Sequence, residues 1–213
     1  MITAHEHPRP AEGALIHTMR LADLMNHTWA YRVWQAPFAE SKLRPLLANL
    51  DLSRVRRVLD VGCGPGTNAH HFANVEYVGL DINAGYIADA CRRHGRDFRV
   101  ADVTRLAPGT IEPADVILLN SLLHHLDDEE AHRTLAALPP LLAPGGSVHI
   151  LDLVLPDRPS IPRAMARLDR GRYARGIADW RSIFRSHFRE VIFEPYSFGG
   201  LWSMVYFRGT ARE

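Results

Sequence analysis

The sequence predicts an α/β domain, built on a mostly parallel sheet covered by helices and finished by an antiparallel hairpin. Three observations carry this expectation. Short apolar runs rich in Val, Ile and Leu alternate with helix-like segments through residues 55–155, which implies a parallel sheet buried on both faces. The first of these runs leads into a glycine-rich loop, Val58-Leu-Asp-Val-Gly-Cys-Gly-Pro-Gly66. Near the C-terminal end, the strand-like runs Glu190–Tyr196 and Trp202–Arg208 are joined across Gly199-Gly200, a separation that favours antiparallel pairing.

The totals agree with one globular unit. The chain has 213 residues, 46% apolar and 23% charged, enough for a core of ordinary size. A formal net charge of +1 gives no global attraction to nucleic acid or to a membrane surface, and neither is expected as a partner. Lys42 is the only lysine, so arginine carries nearly all the positive charge, a skew typical of a GC-rich genome. Cys63 and Cys91 suggest no disulfide framework. The first residues have neither a basic start nor an apolar signal core, and no apolar run approaches the ~20 residues that span a bilayer. A cytoplasmic protein is expected.

Taken in order, residues 1–13 read as a polar tail, with Pro8, Pro10 and Gly13. From Leu15 to Leu50 apolar residues fall at helical spacing (Ile16, Met19, Leu21, Leu24, Met25, then Leu43, Leu46, Leu47, Leu50), predicting two or three helices interrupted near Pro37 and Pro45. Residues 1–50 would thus form a tail and helical cover before a core of residues 51–213. Strands are expected at Val55–Val61, Tyr77–Ile82, Phe98–Val100, Val116–Leu119 and Val148–Leu155, with a helix from Thr67 to Phe72. Asp127, Asp128, Glu129 and Glu130 mark a further helix start, because free amides and the helix dipole favour negative charge there. Ala131, Leu135 and Leu138 would be its buried face, and Pro139-Pro140 its end.

The glycine loop is the first functional signal. Gly62, Gly64 and Gly66 permit tight turning and close approach of backbone to a ligand. Their spacing is one residue short of the Gly-x-Gly-x-x-Gly that seats a pyrophosphate. Asp60, at the strand end, would repel a pyrophosphate but suits a ligand carrying ammonium and sulfonium charge. Asp81, ending Tyr77-Val-Gly-Leu-Asp81, is placed to bind both hydroxyls of a ribose, a feature that nicotinamide enzymes share.

VLDVGCGPG, YVGLDIN, RVADVTRL, ADVILLNSLLHHL and LLAPGGSVHILDLV resemble the ordered motifs of the class I S-adenosylmethionine-dependent methyltransferases, over roughly residues 55–155. The resemblance implies a Rossmann-like, doubly wound, seven-stranded sheet with one antiparallel strand. It implies S-adenosylmethionine as cofactor and S-adenosylhomocysteine as product. Carried over by motif, Asp60, Gly62 and Gly64 would line the methionine end, Asp81 would bind the ribose, and Ile82 would lie beside the adenine. Asp102 would bind the adenine amino group, Val103 would flank the ring, and Asn120 and Ser121 would lie near the reactive methyl.

Methyl transfer asks mainly for alignment, and a base only where the accepting atom must lose a proton. His124 and His125 are the candidates, since an imidazole titrates near neutrality; the alternative is that they only pack or cap the loop. His149, inside an apolar strand, reads as a core residue and Cys63 as a loop filler. The prolines and stacking aromatic used by enzymes of DNA bases or glutamine amides are missing after the fourth strand, which reads Asn120-Ser-Leu-Leu123. Asn120 also stands where metal-dependent catechol-type enzymes carry a carboxylate, so no metal is expected. The acceptor, expected to be a small molecule methylated on oxygen, would be enclosed by Trp29, Tyr31, Trp34 and Phe38 and by the segment Ile161–Phe188. That segment contains Arg163, Arg167, Arg170, Arg172, Tyr173, Arg175 and Trp180. The alternatives are a relative that binds the same cofactor for a non-methylating reaction, and a nicotinamide-dependent dehydrogenase.

Overall fold

The structure, a computed structural model, describes residues 39–169 and 171–212. The expected tail at 1–13, the helices before residue 39, the aromatics Trp29, Tyr31, Trp34 and Phe38, and Arg170 lie outside the described residues.

Seven strands form one sheet: β1 (Arg57–Val61), β2 (Glu76–Asp81), β3 (Asp97–Val100), β4 (Ala114–Asn120), β5 (Leu142–Leu153), β6 (Phe188–Phe198) and β7 (Trp202–Ala211). Their order is β3-β2-β1-β4-β5-β7-β6, with β1 to β5 parallel and β7 antiparallel to both its neighbours. This is the expected Rossmann-like architecture with its C-terminal hairpin. The strand order reverses between β1 and β4, and such a switch point opens a crevice at the carboxyl ends of the strands.

Among the described residues, five helices cover the sheet: α1 (Ala39–Asn49), α2 (Ala84–His94), α3 (Asp128–Ala136), α4 (Ile161–Leu168) and α5 (Ile177–His187). Leu43 and Leu46 of α1 and Ile87 and Ala90 of α2 bury one face, with Val58, Val116 and Leu118. Leu135 of α3 and Trp180 and Phe184 of α5 bury the other, with Leu59, Ile117 and Leu119. The alternation along β1 and β4 therefore sends successive apolar side chains to two different cores, which is why these strands read as unbroken apolar runs.

The start of α3 is the capping box its acids suggest: Glu130 N donates to Asp127 Oδ1 (2.8 Å) and Asp127 N to Glu130 Oε2 (3.0 Å). Ala131, Leu135 and Leu138 are buried, and a short turn at Pro139–Leu141 follows. Two expectations are corrected. The helix predicted at Thr67–Phe72 is only a 3-10 turn, Ala69–Phe72. Asn68, in the capping position, makes no cap bond because its amide is engaged with Asp60 and Asn120. Pro45 does not interrupt its helix either; α1 runs through it, held by the buried Leu43 and Leu46 on both sides.

Candidate active site

The loop after β1 lies at the switch point. Gly62 N and Cys63 N both donate to Leu80 O (2.8 and 3.0 Å), which turns the chain sharply across β2. Gly62 and Gly64 take φ of 73° and 55°, values that a side chain strains. A Cβ at Gly62 would press on Leu122 at 2.8 Å, whereas one at Gly64 would meet none of the described residues within 4 Å. Gly62 therefore serves packing, and Gly64 presents bare backbone to open space. Asp81 is tied to this loop: Gly64 N donates to its Oδ2 (2.9 Å) and Asn83 N to its Oδ1 (2.8 Å). Each oxygen keeps acceptor capacity for a further donor. Ile82 beside it is 76% exposed, and Val100, the register partner of Asp81 on β3, is 55% exposed. Two bare aliphatic side chains next to a ribose-type acid suit the flat face of a purine.

Asp102 is engaged locally. It caps the turn Val103–Arg105, accepting from Thr104 N (2.9 Å) and Thr104 Oγ1 (2.7 Å), and these bonds hold its carboxyl below the usual range. Val103 is buried in the core below it.

Under the glycine loop a polar network joins Asp60, Asn120 and Ser121, which the sequence pointed to, through Asn68 and Tyr77, which it did not assign to the site. Tyr77 Oη donates to Asp60 Oδ2 (2.6 Å), and Asn68 Nδ2 donates to the same oxygen (3.0 Å). Asn120 Nδ2 donates to Asn68 Oδ1 (3.1 Å), and Ser121 Oγ to Asn120 Oδ1 (3.3 Å). Asp60 is fully buried and its Oδ1 has no partner among the described residues; burial pushes its carboxyl up to about 6. An orphaned carboxylate oxygen beneath an open loop is a place for positive charge in a ligand. Ser121 adopts φ 58°, fixed by its N–H donating to Leu151 O (2.8 Å). A left-handed non-glycine residue at a strand end is strain of the kind functional sites hold.

A second cluster follows β4. His124 is buried, with Nδ1 2.6 Å from Asp152 Oδ1 and Nε2 3.2 Å from Asp169 Oδ1. Burial pulls the imidazole down, but the two carboxylates outweigh it and the ring is pushed up to about 9. His124 is therefore a cation at neutral pH. Asp169, despite its own burial, is held well below the carboxylate range by His124. Asp152 also accepts from Leu123 N (2.8 Å) and Leu153 N (2.7 Å). Lys42, on α1, reaches the same region: burial lowers its ammonium, against the opposing pull of Asp169 and Asp152. His125 is exposed, its ring 4.2 Å from that of His124. Ligand atoms of His124, His125 and Asp169 lie within 4.8 Å of one another, the one such group of three among the described residues. The two carboxylates both pair with the His124 cation. The signal for this cluster was an acid in the apolar run Val148–Leu155, since a buried carboxylate requires a counter-charge.

The acceptor-wall residues divide. Trp180 is fully buried, its Nε1 donating to Leu153 O (2.8 Å), and belongs to the core. Arg175 is buried as well, whereas Arg167 and Arg172 are exposed. His149 is a core residue: Ser147 Oγ and Tyr206 Oη each lie 2.9 Å from its ring nitrogens, and burial lowers it to about 3. Cys63 is buried, which pushes its thiol up.

Residues 58–146 match the family model described as a methyltransferase domain. Among curated proteins, the chain is 36% identical over 121 residues to a trans-aconitate 2-methyltransferase of Methylobacterium nodulans, covering 53% of this chain and 45% of that one. It is 30% identical over 144 residues to a 3-hydroxy-5-methyl-1-naphthoate 3-O-methyltransferase of Streptomyces sahachiroi, covering 61% and 40%. The chain thus spans about half, or less, of the length of these relatives. Among solved structures, the N-methyltransferase NodS of Bradyrhizobium japonicum in complex with S-adenosylhomocysteine superposes with a TM-score of 0.69. That likeness covers 89% of this chain and 95% of that one at 21% identity, and shows the shared fold. No described helix is long and apolar enough to cross a membrane.

Proposed function

We propose that this chain, a member of the class I S-adenosylmethionine-dependent methyltransferases, transfers a methyl group to a small molecule, on an oxygen atom, without a metal. The observation that carries the reading is the open backbone at Gly64, fastened to Asp81 and bordered by the exposed Ile82. Asp81 would hold the ribose hydroxyls, with Ile82 and Val103 beside the adenine and Asp102 at its amino group. Asp60, Gly62 and Gly64 would hold the methionine end, and Asn120 and Ser121 would line the space near the methyl. When bound, the cofactor supplies a methyl group made electrophilic by its sulfonium. The chain's own residues supply alignment and remove the acceptor's proton. His124 is suited to hold rather than to abstract, since both its nitrogens are engaged and it is charged. His125, exposed beside it, is the better base. The curated relatives are named for a carboxylate and a phenolic acceptor, so both classes suit a first screen. Methyl-labelled cofactor incubated with a panel of carboxylic acids, phenols and amines should label an acid or phenol. Label passing only to amines would reject oxygen as the acceptor, and its absence from every product would reject transfer.

Two expected results arise here. Asp60 titrates near 6 and must be ionised to favour a cationic ligand. The affinity for S-adenosylhomocysteine should fall as pH drops below that value, by up to about tenfold per pH unit. Asp60→Asn should flatten this dependence. Calorimetry at pH 5 to 8 checks it, and a flat wild-type profile speaks against the role given to Asp60. Dialysis against EDTA should leave transfer intact, because Asp152 and Asp169 already pair with the His124 cation. Activity lost to EDTA and restored by one divalent metal would reverse that assignment.

A further inference from the structure

The chain that follows β5 returns across the loop after β4, and Asp169 and residues 171–175 are bonded to that loop at two levels. At the lower level, Leu155 N donates to Arg175 O (2.8 Å), and Val154 and Arg175 form a parallel bridge. The buried Arg175 guanidinium donates to Leu123 O (3.1 Å), Leu126 O (2.9 Å) and Asp128 Oδ1 (2.8 Å), and lies 4.7 Å over the Trp180 ring. At the upper level, Tyr173 N donates to His124 O (3.0 Å), Gly171 N donates to Asp169 Oδ1 (2.9 Å), and that same oxygen faces His124 Nε2. The fit is close. A Cβ at Gly171 would stand 1.9 Å from His124 Cδ2, so the segment passes against the imidazole with no room for a side chain.

The groups around the His124–Asp169 pair come from four places. Asp152 belongs to β5, His125 to the loop itself, Lys42 to α1, and Asp169 to the returning segment. Asp152 and His124 are held by the sheet and its loop whatever the segment does, since Leu123 N and Leu153 N also bind Asp152. Of the two carboxylates bonded to His124, Asp152 ties its ring to β5 and Asp169 ties it to the returning segment. Apolar packing holds the other side of this segment, where Ala166, Met165 and Ala174 pack with Leu153, Phe198, Trp202 and Met204, while Ile161 and Leu168 stay exposed. Against His124 the ties are polar, and the charged hydrogen bond from its ring to Asp169 is the strong one among them.

We propose that Asp169 is a positioning residue for the acceptor side of the site: by holding His124 it fastens residues 171–175 over the loop that carries His125. The inference rests on the reading that methyl transfer takes place at this edge of the sheet. It is tested by Asp169→Asn and Asp169→Glu in the full chain. Asparagine should speed hydrogen exchange at the Tyr173 amide by about tenfold or more, and leave the Leu155 amide within about threefold of wild type. Glutamate, which can still pair with His124, should recover much of the protection. The dissociation constant for S-adenosylhomocysteine should stay within about threefold of wild type in both variants. With an acid or phenol that the labelled-methyl screen identifies, asparagine should raise KM about tenfold while kcat changes less than about threefold. Unchanged exchange at Tyr173 in Asp169→Asn would overturn the proposal. So would faster exchange spread through β4 and β5, which would make Asp169 a residue of general stability. Wild-type protein that failed to bind S-adenosylhomocysteine would instead defeat the methyltransferase reading, with the exchange result standing by itself.

Discussion

Replacing Asp152 by alanine is expected to lower the unfolding free energy by about 3–5 kcal/mol, the usual penalty for removing one partner of a buried ion pair. Three donors lose their acceptor at once: His124 Nδ1, Leu123 N and Leu153 N. His124 would be left buried with Asp169 as its remaining carboxylate. Denaturant unfolding at pH 7 measures the loss, and one below about 1 kcal/mol would mean that the cluster relaxes without strain. The pH dependence carries the sign. The folded imidazole, near 9, lies above its unfolded value of about 6.5, so its contribution is complete below that value and fades as pH rises to 9. Wild type should therefore lose stability across that window, and Asp152→Ala should lose markedly less.

Replacing His125 by alanine should lower kcat by about 10²–10⁴-fold on an acceptor that must lose a proton, with cofactor affinity nearly unchanged. The wild-type rate should rise with pH as the base loses its proton, and the variant should lose that rise. His124→Ala should behave differently, since that ring is a buried cation bridging Asp152 and Asp169. Its main cost should be stability. A folded His125→Ala protein that turns over at the wild-type rate would remove His125 from the chemistry.

The strands, the hairpin and α3 were legible because their signals are local. Apolar runs bounded by turns mark the strands, and the Asp127–Glu130 box marks the helix start. The glycine loop and Asp81 were legible for the same reason, since they are consecutive elements of one strand–loop–strand unit. The polar clusters were not. His124 and Asp152 are 28 residues apart, and Asn68 and Asn120 are 52 apart. Only the register of β1 on β4 and of β4 on β5 brings them together. Asp169 is harder still to read, because its partner is decided by how the chain after β5 folds back. Thr67–Phe72 shows the converse: a helix-like string gave a short turn because a buried carboxylate claimed Asn68.

The central claim is that the loop at Gly62–Gly66 and Asp81 hold S-adenosylmethionine and its product. Calorimetric titration of the wild type and of Asp81→Ala with S-adenosylhomocysteine, with NADH as a control, tests it most directly. The wild type should bind the product one-to-one, and a concentration of one hundred times Kd should stabilise the fold by ~2.7 kcal/mol. Asp81→Ala, still folded, should bind roughly 1–3 kcal/mol more weakly, as hydrogen bonds to a charged acceptor are lost. Binding of NADH without S-adenosylhomocysteine, or equal affinity in wild type and variant, would contradict the account.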